Sequence, residues 1–147
     1  MNQNRLIGTY RLISWENRHE SGKISYPLGP DAKGLISYSP DGFVFVHIMA
    51  NHRAKHTVSD LFGGDPDEIN NSATTHISYS GTFEITGNEV IHSVSISSYP
   101  NWVPSEQRRC WKFENGKLLL SAQGIQLGNE KVDAYLIWEK LEPQDEA

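Results

Sequence analysis

Tight-turn tetrads recur along this chain, and they constrain its fold more than any other feature. They are Glu20-Ser21-Gly22-Lys23, Ser39-Pro40-Asp41-Gly42, Thr86-Gly87-Asn88-Glu89, Glu114-Asn115-Gly116-Lys117 and Leu127-Gly128-Asn129-Glu130. Gly and Asn/Asp adopt the backbone conformations that short hairpin loops demand. The runs between them are rich in β-branched and aromatic residues, which suit a pleated, half-buried surface. Strands are expected over 6–18, 23–27, 34–39, 43–50, 79–86, 89–98, 106–114, 117–124 and 131–140. Short turns make sequence neighbours sheet neighbours, and a meander of this length buries its edges by closing. The fold class is therefore all-β, a closed antiparallel meander barrel of eight to ten strands.

One segment breaks the rhythm. Asp65 is a helix N-cap, Pro66 suits the first helical position, and Asp67 and Glu68 favour the positive end of the helix dipole. Ile69, Ala73 and Ile77 recur at four-residue spacing, predicting one short α-helix near 66–77 that lies across a barrel mouth. Residues 51–64 read as a loop. A single domain spans 1–141, and the tail 142–147 is expected to fray.

Register follows from turn chemistry, because a one-residue slip moves every side chain to the other face. A two-residue Asn115-Gly116 loop pairs Phe113 with Leu118, Trp111 with Leu120 and Arg109 with Ala122, so Arg109 and Gln107 share the apolar, inward face. The Gly87-Asn88 loop pairs Phe83 with His92 and Ile85 with Val90, placing Tyr79, Phe83, His92, Val94 and Ile96 inside. A glycine bulge at Gly42 pairs Tyr38 with Val44 and leaves Phe45 and His47 outside; a two-residue loop would instead bring His47 in. On the first strand the inward set is Leu6, Gly8, Tyr10, Leu12 and Ser14. The strands carrying His92 and Arg109 are read as pairing through the "YPNWVPS" connection, which places Ile96 near Arg109 and His92 near Phe113, so that His92 and Arg109 sit at different depths.

An inward guanidinium costs several kcal/mol unless something satisfies it. Water, tyrosine hydroxyls, Glu16 or an anionic guest are the candidates, and each fits a hollow barrel better than a solid core. The net charge of -5, with thirteen Lys and Arg scattered among eighteen acids, excludes a nucleic-acid partner. No 18-residue apolar run predicts a membrane span, and no apolar leader follows the start. With the lone Cys110, this makes the cytoplasm the expected setting. His47, His52, His56 and Asp60 match no metal-ligand spacing, so no metal and no cofactor are expected.

The segments "LIGTYRLISWE" (6–16), "YPLGPDAKGLISYSPDGFVFVHIM" (26–49), "YSGTFEI" (79–85), "VIHSVSISSYPNWVPSEQRRCWKF" (90–113) and "LIWEK" (136–140) resemble the bacterial and fungal lipocalin-like domain proteins, small calycin-type β-barrels. Tyr10 stands where a Gly-x-Trp floor aromatic is usual in such barrels. The resemblance implies a barrel around an apolar cavity that holds a small molecule; it transfers no catalytic set.

The leading reading is a barrel that binds a small, mainly apolar or aromatic molecule bearing an acidic or carbonyl group. Its lining comprises Tyr10, Tyr38, Tyr79, Phe83, His92, Ile96, Trp102, Gln107, Arg109 and Trp111. Two alternatives stay open. One is a cofactor-independent isomerase, cyclase or lyase with His92 and Arg109 as catalytic groups. The other is a non-catalytic module that forms a homodimer through the outward face of the 43–49 strand.

Overall fold

A computed structural model of the chain describes residues 5–144. Its strands are β1 (Gly8–His19), β2 (Ile24–Ser25), β3 (Lys33–Tyr38), β4 (Phe43–Met49), β5 (His76–Thr86), β6 (Glu89–Ser97), β7 (Ser105–Glu114), β8 (Lys117–Leu127) and β9 (Glu130–Lys140). One helix, α1 (Pro66–Thr74), lies between β4 and β5. The antiparallel order is β2-β1-β3-β4-β5-β6-β7-β8-β9, and β1 also pairs with β9. Eight strands thus close into a barrel, with the two-residue β2 as an annex on β1.

The hairpins form in the expected registers. Asn115 and Gly116 both carry positive φ (53° and 76°), as a type I′ loop requires, and Phe113 meets Leu118 and Trp111 meets Leu120. Phe83 meets His92 and Ile85 meets Val90. Gly42 is a bulge at φ 95°, so Tyr38 opposes Val44 and His47 faces outward.

The ladders shift register at three places, between Ala122 and Ile125 on β8 and at two bulges that move residues expected on the inward face. In β1 the register shifts between Leu12 and Ser14, so beyond it Trp15, Asn17 and His19 point inward, while Ser14 and Glu16 turn out. The expected inward Ser14 is thereby corrected, and Glu16 instead pairs with Arg18 at 2.9 Å. In β5–β6 the shift falls between Ser80 and Gly81: Gly81 opposes Val94 but Ser80 opposes Ile96. Ser95 is the extra residue, and Ile96 is turned out to 70% exposure rather than lining the interior. Gly81 is needed there, because a Cβ would lie 1.8 Å from the Ser93 carbonyl oxygen.

The helix is shorter than its pattern suggested. Asp65 caps it and exchanges hydrogen bonds with Glu68 in a capping box. It ends at Thr74 because Ile77 joins the ladder opposite Ile48 and packs against the core. None of its residues is buried, so α1 stands off the barrel instead of sealing it. Of the tail expected to fray, residues 145–147 lie outside the described residues.

The core fills the barrel from Leu6, Tyr10, Ile36, Tyr38, Val44 and Val90 through Leu118 and Trp138. The floor is shut by the N-terminal segment. Tyr10 donates its hydroxyl to the Leu6 carbonyl (3.0 Å), and the Arg5 guanidinium lies 5.2 Å from the ring centroids of both Trp111 and Phe113. The opposite end carries the long connections 20–32, 50–75 and 98–104. No helix among the described residues is long and apolar enough to cross a membrane.

Candidate functional site

His92 is the polar group that the barrel wall buries most completely, at 1% exposure. The Gly87-Asn88 hairpin places it on β6 opposite Phe83, and β3 and β5 bring a tyrosine to each ring nitrogen. The Tyr38 hydroxyl lies 2.7 Å from Nε2, and the Tyr79 hydroxyl lies 2.7 Å from Nδ1. Phe83 packs edge-on against Tyr38 (centroids 4.8 Å apart), and Tyr10 packs on its other side at 6.5 Å.

Burial, and then the Arg109 guanidinium, push the His92 imidazole down from 6.5 to about 3. Burial also lifts Tyr79 to about 12, with Arg109 opposing, and holds Tyr38 well above its ordinary 10.0. At neutral pH the ring is therefore neutral and both phenols are protonated.

A neutral imidazole has one acceptor nitrogen and one N–H. One tyrosine donates to the ring, and the ring donates to the other. Three donor protons meet two contacts, so one phenolic proton has no acceptor among the described residues. Tyr38 is 1% exposed and Tyr79 is 9% exposed, and an unspent donor costs more the deeper it lies. On that ground we assign Tyr38 as the donor to Nε2 and the Tyr79 oxygen as the acceptor from Nδ1–H, an assignment that leaves the Tyr79 proton unspent. Trp102, in the short 3₁₀ turn Pro100–Trp102, packs edge-to-face on Tyr79 at 5.5 Å. The free donor thus sits on the side of the long loops.

Arg109 is half-buried and has no carboxylate partner among the described residues. Its Nη1 donates to the Arg108 carbonyl (3.0 Å) and its Nη2 to Gln107 Oε1 (3.4 Å), leaving most of its five donors unspent. Gln107 in turn donates to Ser105 Oγ (2.9 Å), which donates to the Trp102 carbonyl (2.6 Å). This chain ties the guanidinium to the Trp102 turn.

The β6–β7 register differs from the expected one. Val90 opposes Arg109 and His92 opposes Gln107, so Arg109 and His92 are diagonal neighbours and not groups at separate depths. The seven-residue connection 98–104 contains the 3₁₀ turn and a cis Val103–Pro104 bond, and it carries no hairpin signal from which a register can be counted.

The remaining candidates divide clearly. Tyr38, Tyr79, Phe83, His92, Trp102, Gln107 and Arg109 form one connected group. Tyr10 and Trp111 belong to the floor, and Ile96 faces outward. The residues 47, 52, 56 and 60 do not converge: His47 stacks beside His76 with ring nitrogens 3.3 Å apart, and His56 Nδ1 bonds the Gly63 carbonyl (3.0 Å). Hollows of about 620, 520 and 460 Å³ lie elsewhere, the first where β1 and β3 part beyond Arg11–Leu35, lined by outward residues and by the core residues Leu12, Ala32 and Ile48. None of these is lined by His92 or Arg109. We place the candidate site in the barrel interior nonetheless, because the buried donors without acceptors are there.

A closed eight-stranded antiparallel barrel is a calycin-type architecture, and residues 7–141 match the lipocalin-like domain family. The chain belongs to that family. A relative from Aspergillus oryzae (strain ATCC 42149 / RIB 40), the 4'-hydroxy-3'-methoxypropiophenone carrier protein ppsC, is 26% identical over 103 residues. That match covers 64% of this chain and 93% of the relative.

Proposed function

We propose that this barrel is a cytoplasmic carrier. It binds a small, mainly apolar molecule, aromatic or aliphatic, through a carbonyl or acidic oxygen and holds it without turnover. The unspent Tyr79 proton carries this reading. A buried O–H held in place by the His92 ring is a pre-set donor for one oxygen, and a guest oxygen removes the cost of leaving it unpaired. Arg109 supplies charge beside it for an acid, and Phe83 and Trp102 supply apolar surface. Family membership and the carrier name of the Aspergillus relative support the same reading.

His92 and Tyr38 are almost wholly covered, so a guest reaches the relay by displacing Trp102, the residue that packs over Tyr79. The Tyr–His–Tyr relay also raises an isomerase reading, in which it shuttles a proton. Its proton affinities argue against that: efficient acid–base groups sit near the working pH. Here the imidazole is held at about 3 and Tyr79 at about 12. Binding is favoured over turnover.

The test is calorimetric titration with aryl ketones and small aryl acids on wild type, Tyr79→Phe and Arg109→Met. Tyr79→Phe should weaken ketones by about tenfold, the worth of one hydrogen bond. Arg109→Met should weaken acids and spare neutral ketones, and the ligand recovered after denaturation should be chemically unchanged. Equal affinity of wild type and Tyr79→Phe for a ketone refutes the assignment of the donor.

A further inference from the structure

The β1 bulge puts a second set of unpaired polar atoms inside the barrel. Beyond it Trp15 and Asn17 are neighbours on the inward face, and Trp15 Nε1 and Asn17 Oδ1 are both buried with no hydrogen-bond partner among the described residues. Asn17 is 7% exposed. Its nearest polar neighbours are committed elsewhere. His19 Nδ1 lies 2.7 Å from Glu130 Oε1. Nε2 of the same ring lies 2.7 Å from the Oγ of Ser25, the residue that opposes Asn17 across β1–β2.

The side chains that stand across from Asn17 are small. Asn17 opposes Ala134 on β9, and Ala134 opposes Ala122 on β8, two small residues in a wall otherwise built from Leu, Val and Trp. In the eight-strand ring, β1 stands four strands from β6 in either direction. Asn17 therefore faces the lumen from the side opposite His92. A barrel of this size holds one small ligand across its interior.

We propose that Trp15 and Asn17 form a hydroxyl subsite, so that the preferred guest carries a hydroxyl remote from the oxygen that meets Tyr79. One hydroxyl satisfies both orphan atoms, accepting from the indole N–H and donating to the amide oxygen. The ligand class is a hydroxyaryl ketone or hydroxyaryl acid. The inference rests on the carrier reading above and adds to it a second recognition point that sets specificity.

The experiment is calorimetric titration of wild type, Asn17→Leu and Tyr79→Phe with 4-hydroxyacetophenone and with acetophenone. Wild type should bind the hydroxylated ketone about tenfold more tightly. Asn17→Leu should abolish that preference while keeping its affinity for acetophenone, and Tyr79→Phe should weaken both ketones alike. Equal binding of the two ketones by wild type overturns the subsite and leaves the carrier reading standing; so does a preference that survives in Asn17→Leu. If neither ketone binds, the carrier reading fails and the subsite falls with it. Ligand-free stability gives an independent arm. Replacing an amide without a partner by leucine should leave Tm unchanged or raise it, and a fall of several degrees would make Asn17 a structural residue and overturn the proposal.

Discussion

Lowering the pH from 7 to 4 should destabilise the wild-type fold far more than a His92→Gln variant. In the folded protein the His92 imidazole stays neutral down to about 3, whereas the unfolded chain protonates it near 6.5. Between those values the unfolded state binds the extra proton, so the contribution is complete above the unfolded pKa and is lost as pH falls through the window. Each unit is worth 1.36 kcal/mol, so roughly 3 kcal/mol disappears between pH 6.5 and 4, a large share of a typical stability of about 5–15 kcal/mol. Arg109 reinforces the effect by repelling the imidazolium, and neither Tyr38 nor Tyr79 supplies a compensating negative charge there. Glutamine keeps a donor and an acceptor but does not titrate. The carboxylates and the other histidines are common to both proteins and cancel in the difference. The assay is urea unfolding at half-unit pH steps, read by tryptophan fluorescence. The stability of wild type minus that of His92→Gln should fall by about 3 kcal/mol on acidification from pH 6.5 to 4. A difference that stays constant across that range would refute the buried, neutral His92.

Other consequences are equally direct. Gly81→Ala should cost at least about 3 kcal/mol or prevent folding, because the added methyl would meet the Ser93 backbone 1.8 Å away and a strand cannot yield there; thermal melting checks this. Asp65→Ala removes the capping box but touches no buried residue. Amide exchange should therefore accelerate within α1 by about fivefold, the equivalent of about 1 kcal/mol, while the global Tm stays within a degree. Arg109→Met deletes the positive charge beside the relay, so the His92 pKa followed by NMR should rise from about 3; no change would place the guanidinium too far away to act.

The parts of this fold that could be read in advance share a physical cause. Asn115-Gly116 and Gly87-Asn88 specify loop length, loop length specifies register, and the inward positions of Phe83, His92 and Trp111 follow by counting. Where no turn residue marks the count, it fails. The bulges after Leu12 and at Ser95 each add one residue and invert parity, which hid Trp15 and Asn17 and misplaced Ile96. Trp15, flanked by Ser14 and Glu16, is the one local sign of the first bulge. The irregular 98–104 connection similarly obscured that His92 and Arg109 are neighbours. The hydrogen bonds from Tyr38 and Tyr79 to one imidazole depend on three strands meeting around a closed ring. No local pattern encodes them.

The most direct test of the account follows the two ring nitrogens of ¹⁵N-labelled His92 while an aryl ketone is added. The free protein should show one protonated and one bare nitrogen, with Nδ1 the protonated one. Binding should perturb the Nδ1 resonance, because the Tyr79 oxygen that accepts from it now donates to the guest. A ketone that binds, as calorimetry would show, while both nitrogen shifts remain unmoved would contradict a carrier site built on the Tyr38–His92–Tyr79 relay.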